Sequence, residues 1–155
     1  MTTPEEMTGG CQCGRIRYAA RIGSDDAYLC HCTMCRKATG GVAAAFRSIA
    51  RADLRWTTQP PDYHLSSPIA RRGFCSRCGT PLTFEFRDGD AASGDALDLT
   101  IGSFDHPAHF VPRSNVGIET ALAAWQDTAH LPGTALADNP NTRDRWLKAC
   151  GKLPD

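Results

Sequence analysis

Residues 74–86 read Phe74-Cys75-Ser76-Arg77-Cys78-Gly79-Thr80-Pro81-Leu82-Thr83-Phe84-Glu85-Phe86, and two structural signals are joined in them. The first is Cys75-x-x-Cys78 followed by Gly79. Two thiolates a few residues apart on a tight turn supply half of a tetrahedral metal site. A glycine directly after the second cysteine suits a turn that needs positive φ or a close backbone approach to sulfur. The second signal is the alternation over Pro81–Phe86, which predicts a strand with Leu82, Phe84 and Phe86 on one face. A turn is expected to follow at Arg87-Asp88-Gly89-Asp90, within a loop over 87–96. A metal knuckle that feeds a strand directly predicts a mainly β protein folded about bound metal.

A half-site needs a partner, and Cys11-Gln12-Cys13-Gly14 supplies one. The simplest assignment joins Cys11, Cys13, Cys75 and Cys78 in a closed, structural four-thiolate site. Cys30, Cys32 and Cys35 then remain as a group of three. Four thiolates saturate a zinc ion, whereas three protein ligands leave a position for water or substrate, the pattern of catalytic zinc. A fourth ligand from His31, His64, His106, His109 or Cys150 would instead make a second structural site. His31 is the least suited, because the residue between alternating ligands in an extended segment points the other way. Redox chemistry by Cys75 and Cys78 would call for a βαβ context, and none is visible. Cys150 reads as a lone thiol without a role.

The rest of the chain reads as short strands and frequent turns. Arg15–Ile22, Ala27–Cys30, Val42–Phe46, Asp53–Thr57 and Ala96–Gly102 have strand character, the last with Leu97, Leu99 and Ile101 inward. Helical signals are sparse: one turn over Lys37–Gly41, and a short helix over Thr142–Lys148 with Thr142 as N-cap. The 105–116 stretch, with Pro107 and Pro112, reads as irregular. Trp56, Trp125 and Trp146 read as core or rim aromatics.

At 155 residues the chain is the size of one domain, 1–155, with its motifs concentrated in about 9–110. Seventeen basic residues balance seventeen acidic ones, which argues against nucleic-acid binding through bulk charge. Mean hydropathy is −0.35 and no long apolar run occurs, so no membrane span is expected. The start, Met1-Thr2-Thr3-Pro4-Glu5-Glu6, has neither the basic nor the apolar region of a secretory leader. A cytoplasmic location follows as the expectation, and clustered cysteines in a reducing compartment more often hold metal than form disulfides.

Three motifs in order carry a specific resemblance: Gly10-Cys11-Gln12-Cys13-Gly14-x-Ile16-x-Tyr18, then Cys30-His31-Cys32-x-x-Cys35-Arg36-Lys37-x-x-Gly40, then Phe74-Cys75-x-x-Cys78-Gly79-Thr80-x-Leu82. Together they resemble the Gfa/CENP-V family, the glutathione-dependent formaldehyde-activating enzymes and their relatives. The likeness is strong over about residues 9–86 and continues weakly through Ile101-Gly102-Ser103-Phe104-Asp105-x-Pro107 to Trp125, Asp127 and Leu131-Pro132. It implies a compact β-tent (Mss4-like) fold with few short helices and two Zn²⁺ ions per chain. Cys11, Cys13, Cys75 and Cys78 map onto the structural zinc, and Cys30, Cys32 and Cys35 onto an open, catalytic one. The implied activity is carbon–sulfur lyase-like, the reversible joining of glutathione and formaldehyde as S-hydroxymethylglutathione. Glutathione or another thiol is the implied partner, with Arg36, Lys37, Arg71 or Arg72 either pairing its carboxylates or offsetting the charge of the sulfurs. Many members carry a histidine in the segment that aligns with Arg113–Gly117, where this sequence has Asn115. A zinc-stabilised interaction module and a thiol or metal sensor are the competing readings.

Overall fold

The computed structural model describes residues 4–87 and 95–153. The expected turn at 87–90 falls largely on 88–94, outside the described residues. The chain divides into two compact units, Met1–Leu122 and Ala123–Asp155.

The first unit is mainly β. Its elements are β1 (Glu5–Gly10), β2 (Arg17–Ile22), β3 (Asp26–Cys30), α1 (Thr33–Thr39), β4 (Ala44–Ala50), β5 (Leu54–Trp56), β6 (Asp62–Ser67), β7 (Ala70–Phe74), β8 (Pro81–Phe86), β9 (Ala96–Thr100) and β10 (Val111–Val116). They form a three-stranded sheet ordered β1-β2-β5 and a seven-stranded sheet ordered β10-β3-β4-β9-β8-β7-β6. All pairings are antiparallel except β10 with β3, where Val116 lies opposite Cys30.

Two apolar clusters divide the interior. The larger contains Ile16, Tyr18, Ile22, Ile49, Leu82, Leu97, Leu99 and Phe104, and it includes Cys11 and Cys75. Trp56 packs against it, edge-on to Tyr18 at 5.8 Å. The smaller contains Cys30, Cys35, Ala44 and Phe46, with Tyr28, Cys32 and Phe84 against it. The two clusters follow the two faces of the large sheet, since side chains alternate along each strand.

The alternation expected on β8 is corrected by a bulge. Phe74 pairs with Pro81 and Gly73 with Thr83, so Leu82 is the extra residue. Leu82, Thr83 and Glu85 are buried, Phe84 is partly buried, and Phe86 is 41% exposed. Leu82 joins the larger cluster while Phe84 joins the smaller one. A carboxylate thus occupies a core position. Glu85 accepts from Arg71 at 2.7 Å, Arg51 at 3.0 Å and Thr83 at 3.1 Å, which compensates its burial.

The irregular stretch expected at 105–116 ends instead in β10. Pro112 is tolerated because β10 is an edge strand with a register shift at that point. The helical turn expected at Lys37–Gly41 lies earlier, as α1. Cys32 is its N-cap, with Sγ accepting from the Cys35 N–H at 3.4 Å, and Gly40 ends it at φ 72°.

The second unit carries α2 (Pro140–Cys150), two turns of 3-10 helix, and no buried residue among those described. Asn139, rather than Thr142, is the N-cap, its side chain accepting from the Thr142 N–H at 3.3 Å, with Pro140 in the first turn. Trp125 and Trp146 are 61% and 38% exposed, so neither is a core aromatic. No helix among the described residues is long and apolar enough to cross a membrane.

Candidate metal centres

The fold brings distant cysteines together in two groups. The Sγ atoms of Cys11, Cys13, Cys75 and Cys78 all lie within 4.8 Å of one another, as do those of Cys30, Cys32 and Cys35. All eight cysteines are free thiols, and Cys150 is exposed at the end of α2. No further His, Cys, Asp or Glu among the described residues joins the group of three.

Two similar turns build the group of four. In one, Cys11 N–H donates to Ile16 and Gly14 N–H to Cys11, with Gly14 at φ 76°. In the other, Cys75 N–H donates to Thr80 and Gly79 N–H to Cys75, with Gly79 at φ 80°. Arg15 ties the two together. Its Nη1 donates to Asp62 at 2.7 Å and Ser76 at 3.1 Å, and lies 3.8 Å from the Cys75 sulfur. Asp62 in turn accepts from the Ser76 N–H, and these bonds hold its carboxyl well below the usual range.

The sulfur spacings test whether a metal fits. Cys11 and Cys13 sulfurs are 3.6 Å apart, Cys13 and Cys75 3.8 Å, and Cys30 and Cys32 3.5 Å. A disulfide would require about 2.05 Å. A tetrahedron with metal–sulfur bonds of about 2.3 Å has edges of about 3.8 Å, which these spacings approach. Acidity points the same way. The Thr80 hydroxyl and N–H pull Cys78 down to about 5. Cys13, although the Arg15 backbone N–H stabilises its thiolate, is pushed up to about 11 by desolvation and the neighbouring sulfurs. Four sulfurs this close cannot all carry charge without a cation among them. Both groups fit a thiophilic metal such as zinc.

The group of three is placed differently. Burial pushes Cys30 up to about 12, while hydrogen bonds from Cys35 outweigh burial at Cys32 and lower it. Arg72, 6% exposed, donates from Nη2 to the Cys35 sulfur at 3.3 Å and stacks over the Phe84 ring at 4.8 Å. Its Nε–H is buried without a hydrogen-bond partner. A cavity of about 120 Å³ opens beside it, lined by Thr39, Phe46, His64, Arg72, Thr83 and Thr100, and reaching Gly79 of the other group. The Gly117 backbone crosses Cys32 so closely that a Cβ there would lie 2.9 Å from the Cys32 nitrogen.

The remaining candidates are distributed as follows. His31 is buried and its Nε2 meets Asn115 Oδ1 at 2.9 Å, so it turns away from the sulfurs between which it sits in sequence. His64 lies at the cavity and edge-on to Phe74, and His109 is likewise edge-on to Phe110. Arg71 is committed to Glu85. Arg36 bonds Thr33 on its own helix, and no ion pair among the described residues engages Lys37. Two features were invisible in the sequence: the sulfur cap of Cys32 and the close approach of Gly117. The seating of Arg72 on Cys35 agrees with the second of its two expected roles, offsetting the charge of the sulfurs.

The model of the family described as glutathione-dependent formaldehyde-activating enzyme matches residues 6–119. An uncharacterized lyase of Schizosaccharomyces pombe is 32% identical over 84 residues, covering 54% of this chain and 61% of the relative. A provisionally named glutathione-dependent formaldehyde-activating enzyme of Halomonas elongata is 30% identical over 95 residues, covering 49% of this chain and 54% of the relative. The chain therefore spans little more than half the length of these relatives. It belongs to the glutathione-dependent formaldehyde-activating enzyme family.

Proposed function

From this membership as premise, we propose that the protein is a zinc-dependent, carbon–sulfur lyase-like enzyme acting on a glutathione adduct or another thiol adduct. The observation that carries the reading is the difference between the two sulfur groups: one has four ligands, with Cys11 and Cys75 buried in the larger core, and the other has three, with Arg72 both touching its Cys35 sulfur and lining a cavity. Cys11, Cys13, Cys75 and Cys78 would hold a structural zinc, and Cys30, Cys32 and Cys35 a zinc with one position left for substrate. Bound there, zinc lowers the pKa of a substrate thiol and keeps it as the nucleophilic thiolate.

The chain's own residues supply orientation and charge. Arg72 sets a fixed positive charge on the Cys35 sulfur and lines the cavity, where that charge suits an anionic or carbonyl oxygen. Phe46 and the packed aromatics around it limit water on one wall, while Thr39, Thr83 and Thr100 place polar side chains on the others. In the adduct-forming direction the thiolate sulfur bonds to the aldehyde carbon and the carbonyl oxygen gains a proton; the reverse breaks the same carbon–sulfur bond. Eight unpaired thiols support residence in a reducing compartment such as the cytoplasm.

Metal analysis of the purified chain should give two zinc ions, and nuclear magnetic resonance should show S-hydroxymethylglutathione exchanging with glutathione and formaldehyde faster than in buffer. A two-zinc protein that neither binds glutathione nor accelerates exchange of any thiol adduct would sink the proposal.

A further inference from the structure

A carbon–sulfur exchange needs a proton at the aldehyde oxygen when the bond forms, and a base for the same proton when it breaks. The cavity beside Arg72 is the place for such a group, since two of its lining residues touch Cys35. Arg72 donates to the Cys35 sulfur at 3.3 Å, and Thr39 Oγ1 donates to the Cys35 carbonyl at 2.9 Å.

Most of the polar side chains on its walls have no proton to lend. Arginine stays charged in proteins, so Arg72 is a fixed cation. The Thr39 hydroxyl is spent on Cys35, Thr83 donates to Glu85 at 3.1 Å, and Thr100 donates to the Pro81 carbonyl at 2.8 Å. Among the described residues, no carboxylate, tyrosine or cysteine lines the cavity. His64 does, and imidazole is the side chain that exchanges a proton between about pH 5 and 8.

The fold holds His64 where that exchange would be useful. It lies on the edge strand β6 opposite Arg72 of β7, so the two side chains share one face of the sheet. The same row continues through Phe84 and Asp98 to Ser48, and Phe84 packs against the cluster that contains Cys30 and Cys35. Side chains directly opposed across two strands start about 5 Å apart at Cβ. The His64 ring is seated edge-on to Phe74 at 5.4 Å. It belongs to neither sulfur group, and among the described residues nothing hydrogen-bonds or pairs with its ring nitrogens. His64 is also exposed, so a proton it delivers into the cavity can be replaced from water.

We propose that His64 is the general acid–base of the thiol exchange. In the adduct-forming direction the thiolate sulfur bonds to the aldehyde carbon, the π pair of the carbonyl moves to oxygen, and His64 imidazolium gives that oxygen a proton. The ring regains a proton from solvent, to which the thiol has released one, so the count closes. In the reverse direction neutral His64 takes the hydroxyl proton as the carbon–sulfur bond breaks and its electron pair returns to sulfur. This rests on the thiol-adduct reading above and adds the proton carrier which that reading lacks.

The test compares the zinc-loaded full chain with His64→Gln and His64→Ala, following S-hydroxymethylglutathione breakdown by nuclear magnetic resonance. Zinc content and near-ultraviolet dichroism establish that both variants are folded and loaded. General acid–base catalysis by one side chain contributes about 100-fold or more, so kcat should fall by that factor in both variants while KM holds. Added imidazole should restore kcat in His64→Ala, where the ring leaves a space, and not in His64→Gln, where the longer side chain fills it. Binding gives a second readout: of the five histidine ring signals, the one missing from His64→Gln should shift when glutathione is added to the native chain. Native kcat in both variants, or a loss in His64→Ala that imidazole does not restore, would overturn the role of His64 and leave the thiol-adduct reading standing. A His64 signal unmoved by saturating glutathione would do the same. A native chain that accelerates exchange of no thiol adduct would overturn both.

Discussion

The division between the two sulfur groups is tested most sharply by comparing Cys75→Ser with Cys32→Ser. Cys75 is 0% exposed and belongs to the larger cluster. A structural zinc contributes on the order of 10 kcal/mol to folding in small domains, comparable to the whole stability of a domain this size. Removing one of its four ligands, and burying a hydroxyl in place of the sulfur, should leave the first unit largely unfolded at 25 °C. Cys32 is only partly buried, and its structural work is to cap α1 by accepting from the Cys35 N–H. Serine is among the best N-caps, so Cys32→Ser should cost no more than about 1 kcal/mol beyond the metal it releases. Urea melts followed by circular dichroism, with zinc measured on the same samples, give both quantities. The expected result is an unfolded Cys75→Ser and a folded Cys32→Ser holding about one zinc per chain. Equal destabilisation by the two substitutions, or two zinc ions retained in Cys32→Ser, would refute the reasoning.

Arg72→Met keeps the stacking volume over Phe84 but removes the charge on the Cys35 sulfur. It should weaken zinc at the group of three by about 10–100-fold in chelator competition and leave the other ion in place. Gly117→Ala forces a side chain at φ 67° against the Cys32 backbone, and about 1–3 kcal/mol of destabilisation in urea melts is expected. At Glu85, burial raises the carboxyl, and Arg71 and Arg51 more than offset it, leaving it below its ordinary value. The carboxylate therefore stabilises the fold above pH of about 4.3, and that contribution is lost as pH falls through the lowered value. Because the two arginines are 40% and 37% exposed, Glu85→Gln should cost about 1–3 kcal/mol at pH 7 and flatten the acid limb of the melting profile.

The metal ligands were legible because thiolate chemistry constrains spacing within a turn, and Cys11-x-Cys13 and Cys75-x-x-Cys78 each state half a site. The strands around Tyr18, Phe46 and Leu99 were legible for a similar reason, since β-branched and aromatic residues leave a pattern that survives without neighbours. What failed was set by pairing. Leu82 changes faces only because Gly73 and Phe74 meet β8 with one residue in excess, and no local pattern announces a bulge. β6 and β7 carry Arg71, Arg72 and His64, too polar to read as strands until the partners of those charges are in place. The start of α1 was missed because a cysteine sulfur does the capping that serine or asparagine usually signals.

The unequal roles proposed for the two sulfur groups have a basis in where the sheet puts them. Cys11 and Cys75 of the four-sulfur group share their cluster with Ile16, Tyr18, Leu82 and Leu99, so motion at those two sulfurs must disturb the main core. The group of three sits on the other face in a smaller cluster whose other buried apolar members, among the described residues, are Ala44 and Phe46, with the buried Arg72 on the Cys35 sulfur and stacked on Phe84. That face also holds the row ending in Asp98 and Ser48. A cation fixed at Arg72 lies beside these sulfurs, of which Cys30 ends β3, Cys32 caps α1 and Cys35 lies within it. Exchanging Phe86 on this face should accordingly leave the fold intact. Substitutions at Tyr18 or Leu99 should instead remove stability and both metals together. A Phe86→Ala chain that melted as early as Leu99→Ala would contradict this assignment of roles to faces, because Phe86 is 41% exposed and Leu99 fully buried.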